Sequence, residues 1–127
     1  MPDLLIDTNI IIYVSRGDVK YINYLDELND KVLGVSVVTY MESLLGAKEN
    51  LELMKTTLET KFEIIEINKE ISYKTVEVLA MRTKTSLKNP QFPDIVIANT
   101  AIHLNIPLVT NNPKDFKIFK DLEILVP

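Results

Sequence analysis

Apolar positions along this chain change their period several times, and each change marks an element. Leu4-Leu5-Ile6 is a short continuous apolar run that stops at Asp7-Thr8-Asn9, the pattern of a buried strand followed by a turn or helix cap. From Asn9 to Val14 the pattern alone fits strand or helix; Thr8 and Asn9 as N-cap residues and Gly17 as a stop favour a helix. Asp18 caps a second helical stretch, with Ile22, Leu25 and Leu28 three apart. Val32 to Val35 predicts the second strand, after which Ser36 and Thr39 offer caps for a helix through Leu44 and Leu45 to Gly46.

The second half repeats the alternation. Lys48 to Lys61 places Leu51, Met54 and Leu58 at helical spacing between charges, an amphipathic helix. Phe62 to Ile67 alternates apolar and acidic residues, a more exposed strand. Asn68 to Arg82 returns to helix with Ile71, Val78 and Leu79 inward. Pro93 suits the first position of a helix whose body, Ile95 to Leu104, is apolar nearly all round and therefore central. Pro107-Leu108-Val109, ending at Thr110-Asn111-Asn112, and Leu122 to Val126 are the last strands. Strands alternating with helices imply an α/β fold with a parallel sheet covered on both faces.

Parallel topology gives the polar residues a meaning. Asp7, Glu42, Asp94 and the Asn112/Asp115 pair each lie where an apolar run meets its boundary, so all four positions converge on the carboxyl edge of one sheet, where open α/β folds hold ligands. Each has a local explanation as well. Asp7 fits an Asx-turn or helix cap, oriented by Thr8 and Asn9; Glu42, three residues after Thr39, fits a capping box; Asp94 suits the first turn of any helix; Asp115 fits a cap before Phe116. Together they form a carboxylate cluster that repels itself unless a cation neutralises it.

Composition narrows that cation. At 127 residues, without a linker, repeat or low-complexity tract, the chain is expected to form one domain over 1–127. Cysteine is absent and His103 is the single histidine, which leaves oxygen ligands and favours Mg²⁺ or Mn²⁺ over zinc. His103, inside an apolar helix, fits a structural role better than a catalytic one, and Tyr13, Tyr21, Tyr24 and Tyr40 fit core packing better than base stacking. Neither a signal-peptide pattern nor an apolar run of about 18 residues is present, so a cytoplasmic protein with no membrane segment is expected. The net charge of −4 argues against indiscriminate nucleic-acid coating. The stretch Met81 to Pro93 nevertheless holds Arg82, Lys84 and Lys88 and no carboxylate, and ends beside Asp94; it is either a phosphate contact or a solvated helix end.

The opening Leu-Leu-Ile-Asp-Thr-Asn, Glu42 about one helical turn after a strand-Ser-x-x-Thr stretch, Pro-Asp-Ile-Val-Ile-Ala-Asn-Thr-Ala and Leu-Val-Thr-Asn-Asn-Pro-Lys-Asp-Phe occur in an order that resembles the PIN-domain nucleases, particularly the VapC-type toxins. The resemblance implies a three-layer α/β/α sandwich with a central parallel sheet and a Mg²⁺- or Mn²⁺-dependent endoribonuclease. It also implies a homodimer neutralised by an antitoxin protein. Carried over by position, Asp7, Glu42 and Asp94 form the acidic triad and Thr110 supports it through its hydroxyl. The fourth acidic position departs from the pattern: where many relatives have Asp, this chain has Asn112, with Asp115 three further on. Water attack at phosphorus would leave a 5′-phosphate and a 3′-hydroxyl. A receiver-like Mg²⁺-binding signalling domain is the alternative of another class, weakened by the missing acidic neighbour of Asp7; a catalytically silent PIN-like interaction module is the third.

Overall fold

In the computed structural model the described residues are 1–85 and 90–127, with only the backbone described for 82–85. The chain alternates strands and helices as β1 (Leu4–Ile6), α1 (Thr8–Ser15), α2 (Val19–Glu27), β2 (Leu33–Ser36), α3 (Val37–Ala47), α4 (Leu51–Lys61), β3 (Glu63–Ile65), α5 (Lys69–Thr85), α6 (Phe92–Leu104), β4 (Leu108–Val109) and β5 (Ile124–Leu125). The strands form one all-parallel sheet in the order β3-β2-β1-β4-β5. This is the parallel sheet expected from the alternation, in the three-layer α/β/α sandwich that the resemblance implies.

The period of two along the strands sorts the core into two halves. Leu5 and Leu108 face a cluster built from Ile71 of α5, the α6 residues Ile95, Val96, Ile97, Ala98 and Ala101, and Phe116 and Phe119. Leu4, Ile6, Val35 and Val109 face the other cluster, with Ile10 and Ile11 of α1, Tyr21 of α2 and Leu58 of α4. Every residue from Ile95 to Ala101 is buried, as a helix apolar all round requires. Val78 and Leu79 pack at the edge of the first cluster, and Tyr21 stacks on Tyr13 with ring centroids 4.8 Å apart, inside the second. Pro2 packs so closely on β2 that a Cβ at Gly34 would lie 2.9 Å from its ring, which explains a glycine in mid-strand.

Several boundaries differ from the sequence expectation. Of the caps offered at the start of α1, Asp7 serves, as its helix-cap reading expected, and Thr8 and Asn9 do not; the helix stops at Arg16 before Gly17 turns the chain with φ +81. β2 runs one residue later than expected, through Ser36, whose hydroxyl then caps α3. The expected helix from Lys48 is interrupted: Lys48 has φ 51 and opens a 3-10 turn, Lys48–Asn50, before α4 begins. Pro93 is the second helical residue of α6, after Phe92, where its missing N–H still costs nothing. The outer strands β3 and β5 are shorter than their apolar runs.

Candidate active site

β1 ends at Ile6, and the next residue turns directly into α1. Asp7 keeps extended backbone (φ −70, ψ 151), and its Oδ1 accepts the Thr8 N–H at 2.8 Å. Its own N–H donates to the Val109 carbonyl at 2.9 Å, which continues the β1–β4 ladder one step past Ile6 and Val109. Thr110 is thereby drawn alongside, and its hydroxyl donates to Asp7 Oδ2 at 2.7 Å. The Asn112 N–H donates in turn to the Thr110 oxygen at 3.0 Å. Two chain segments thus hold the two oxygens of one carboxylate.

Glu42 arrives from α3. With Ser36 as the cap, Thr39 lies inside the first turn, so the capping-box pairing of Thr39 with Glu42 does not arise. The Thr8 hydroxyl instead donates to Glu42 Oε1 at 2.7 Å and meets the Thr39 hydroxyl at 2.9 Å. The sequence offers Thr8 as a cap and as a partner that orients Asp7, and Thr39 as a cap; neither role includes the Thr8–Thr39 contact or the Thr8 bond to Glu42. The Ser-x-x-Thr-x-x-Glu context of Thr39 and the Asp-Thr-Asn context of Thr8 carry cap signals but no sign of a partner from another element.

Asp94 is the third residue of α6, and its Oδ2 accepts the Gln91 N–H at 3.3 Å, so its capping role is real. It also lines a cavity of about 310 Å³ together with Asp7, Thr8, Asn9, Ile12, Glu42 and Leu45. Three of the sequence-chosen carboxylates therefore share one pocket. Asp115 sits in a 3-10 turn, Pro113–Phe116, and its N–H donates to the Asn112 carbonyl at 3.1 Å. Neither residue lines the pocket, but the charge of Asp115 acts on Asp94.

The electrostatics follow from burial and crowding. Burial pushes the Asp7 carboxyl up to about 6, the Thr110 hydroxyl and Thr8 amide pull it back, and the charges of Asp94 and Glu42 push it further up. Asp94 is also raised, by burial first, with Asp115 and Glu42 adding to the shift against the Gln91 N–H. A cluster in this state gains from any cation that enters. The donors are oxygens alone, which fits a hard divalent ion. They are not drawn into a closed cage: among the described residues no three acidic or imidazole groups form a ready metal-binding set.

The remaining candidates fall elsewhere. Arg82 and Lys84 lie on the last turn of α5, and their side chains are outside the described ones; Lys88 lies outside the described residues. His103 is remote from the pocket: its Nε2 pairs with Asn68 Nδ2 at 3.0 Å and its Nδ1 lies 3.4 Å from Glu70, which agrees with a structural histidine. No described helix is long and apolar enough to cross a membrane.

A parallel α/β/α sandwich with carboxylates gathered at the carboxyl edge of β1 and its neighbours places the site where open α/β folds hold their ligands. The chain belongs to the PIN domain family, whose profile matches residues 4–122. It is similar to the ribonuclease VapC of Rickettsia bellii (strain RML369-C), 29% identical over 132 residues that cover 96% of this chain and 94% of that protein. Among solved structures it resembles VapBC2 from Rickettsia felis, bound to a DNA fragment from their promoter, with TM-score 0.78, 25% identity and 98% of both chains covered. VapBC-1 from nontypeable Haemophilus influenzae superposes with TM-score 0.78 at 26% identity, over 97% of this chain and 96% of that one. The family assignment removes the receiver-like alternative.

Proposed function

We propose that this protein is a divalent-metal-dependent endoribonuclease and the toxin of a toxin–antitoxin pair, its residues 1–127 acting as one cytoplasmic PIN domain. The observation that carries the reading is the convergence of Asp7, Glu42 and Asp94 on a single pocket, where the charges of Asp94 and Glu42 push the Asp7 carboxyl up. The relatives agree with it: one is named a ribonuclease, and one solved neighbour is a toxin-antitoxin complex from Klebsiella pneumoniae, 29% identical with TM-score 0.75 over 96% of this chain and 95% of that one.

Asp7, Glu42 and Asp94 would hold Mg²⁺ or Mn²⁺, with Asn112 an amide-oxygen donor from the adjoining turn. Such an ion, when bound, offsets the carboxylate charge and orients or activates water for attack on a phosphodiester. The chain's own part is orientation: Thr110 and the Thr8 amide fix the two oxygens of Asp7, and the Thr8 hydroxyl fixes Glu42. Arg82, Lys84 and Lys88 give an acidic protein a local place to meet RNA phosphates.

The partner reading has its own support. Two adjoining apolar cavities of about 480 and 420 Å³ run between α1, α2, α3 and α4 and share Val14, Ser15, Met54 and Thr57. Ile12 lines both this groove and the acidic pocket, so an antitoxin segment lying in the groove would bring a basic side chain to the carboxylates. Tyr73 and Val76, exposed on α5, offer apolar area for the homodimer.

The deciding experiment is cleavage of a defined RNA panel by wild type and Asp7→Asn, with and without chelator. Mg²⁺-restored cleavage that Asp7→Asn lacks, with its fold intact, supports the reading; no cleavage by wild type with any RNA and metal favours the silent interaction module.

A further inference from the structure

We propose that Thr39 is a positioning residue of the acidic site, acting through Thr8 to orient Glu42 for a divalent cation. The inference rests on the metal-nuclease reading and extends it to a side chain that touches neither pocket nor substrate. Thr39 is fully buried, and its hydroxyl meets that of Thr8 at 2.9 Å, while Thr8 Oγ1 lies 2.7 Å from Glu42 Oε1. The direction of the chain follows from proton inventory. A carboxylate has no proton to give and a hydroxyl has one, so Thr8 donates to Glu42 and Thr39 is left as the donor to Thr8.

The relay links two of the site's three carboxylates. The Thr8 amide holds Asp7 Oδ1 while the Thr8 hydroxyl holds Glu42 Oε1, so one residue sets the relative placement of both carboxylates. A lone hydroxyl rotates freely about its side-chain bond. By occupying one acceptor position on Thr8 Oγ1, Thr39 keeps the Thr8 proton aimed at Glu42. Thr39 sits in the first turn of α3 and Glu42 three residues later, so helix and relay together restrain a side chain that otherwise turns about three bonds.

The test uses Thr39→Val, which keeps shape and removes the hydroxyl, Thr39→Ser, which keeps the hydroxyl, and Thr8→Val with the double variant. Mn²⁺ affinity is read by electron paramagnetic resonance of the free ion, alongside kcat and KM for RNA. Thr39→Val should weaken Mn²⁺ binding on the order of tenfold and lower kcat more than it raises KM, Thr39→Ser should restore both, and Thr39→Val should add little in the Thr8→Val background. An unchanged Mn²⁺ affinity, or an equal loss in both backgrounds, overturns the relay. Urea unfolding of the metal-free protein gives a separate arm: Thr39→Val and Glu42→Gln share no direct hydrogen bond, and the relay requires their effects to be non-additive. Additivity overturns it. Wild type that binds no Mn²⁺ and cuts no RNA instead overturns the nuclease reading and the cation-positioning role with it, while the metal-free cycle still decides whether the relay exists.

Discussion

Thr110 Oγ1 donates to Asp7 Oδ2 at 2.7 Å, although 103 positions separate the two residues. The contact exists because β1 and β4 pair in parallel and both end one residue earlier, at Ile6 and Val109. Asp7 therefore leaves its strand with one oxygen held by its own helix and the other by the neighbouring strand.

Thr110→Val should push the Asp7 carboxyl further up, since a donor to the charged form is lost. The acid limb of the pH–rate profile should move to higher pH, and cleavage at neutral pH should fall by roughly 10- to 100-fold. The part-buried Asn112 N–H contact is lost too, so stability should drop by about 1–3 kcal/mol. Thr110→Ser should behave as wild type; an acid limb that stays in place in Thr110→Val would count against the assignment.

The metal-free protein should carry a pH signature from Asp7. Its carboxyl titrates at about 6 in the fold against an ordinary 3.8, so the folded chain binds the proton more tightly than the unfolded one. That contribution is fully present below about 3.8 and is lost as pH rises through about 6, on the order of 3 kcal/mol in all. Asp7→Asn lacks this loss. In chelator, its stability relative to wild type should rise between pH 4 and 7 by urea unfolding, and a difference that stays constant with pH would refute the shift.

Added Mn²⁺ or Mg²⁺ should raise the unfolding midpoint of wild type and do so more at pH 7.5 than at pH 5, because the ion competes with protons for the same carboxylates. At a concentration 100 times the Kd the gain should be about 2.7 kcal/mol. Calorimetric melting checks both statements, and Asp94→Asn should show a much smaller gain.

Asn112 and Asp115 make a separable pair. Asn112 supplies no charge and its N–H supports Thr110, whereas the charge of Asp115 reaches Asp94. Asn112→Asp should tighten Mn²⁺ binding, and Asp115→Asn should reduce activity less than Asp7→Asn. If Mn²⁺ titration finds Asp115→Asn as inactive as Asp7→Asn while Asn112→Asp changes nothing, Asp115 is the fourth ligand.

Replacing Arg82, Lys84 and Lys88 together by Ala should weaken RNA binding and flatten its dependence on salt, by a slope change of about 0.7 per lost phosphate contact on a single strand. Filter binding over a salt series measures this directly. An unchanged slope would return the three to solvated surface.

Much of the architecture was legible in local pattern, because a parallel sheet buried on both faces forces continuous apolar runs such as Leu4-Leu5-Ile6 between helices of period 3.6. The inventory of donors was legible as well: without cysteine and with one histidine, a cation site in this chain is made of oxygens. Element ends were less legible, since the residues that cap helices are those that line sites. Asp94 does both, accepting the Gln91 N–H while facing the pocket.

What local pattern left open is which hydroxyl serves which carboxylate. Thr39 lies three residues before Glu42 and reads as its capping partner, yet in the fold it meets Thr8, 31 positions away. The order β3-β2-β1-β4-β5 decides this by placing β1 between β2 and β4, so that the residues following three strands meet at one edge. Periodicity records which face of a strand is buried and carries no label for its neighbour. The neighbour is chosen by packing of the whole sheet, and with it the hydrogen bonds that Asp7 and Glu42 receive.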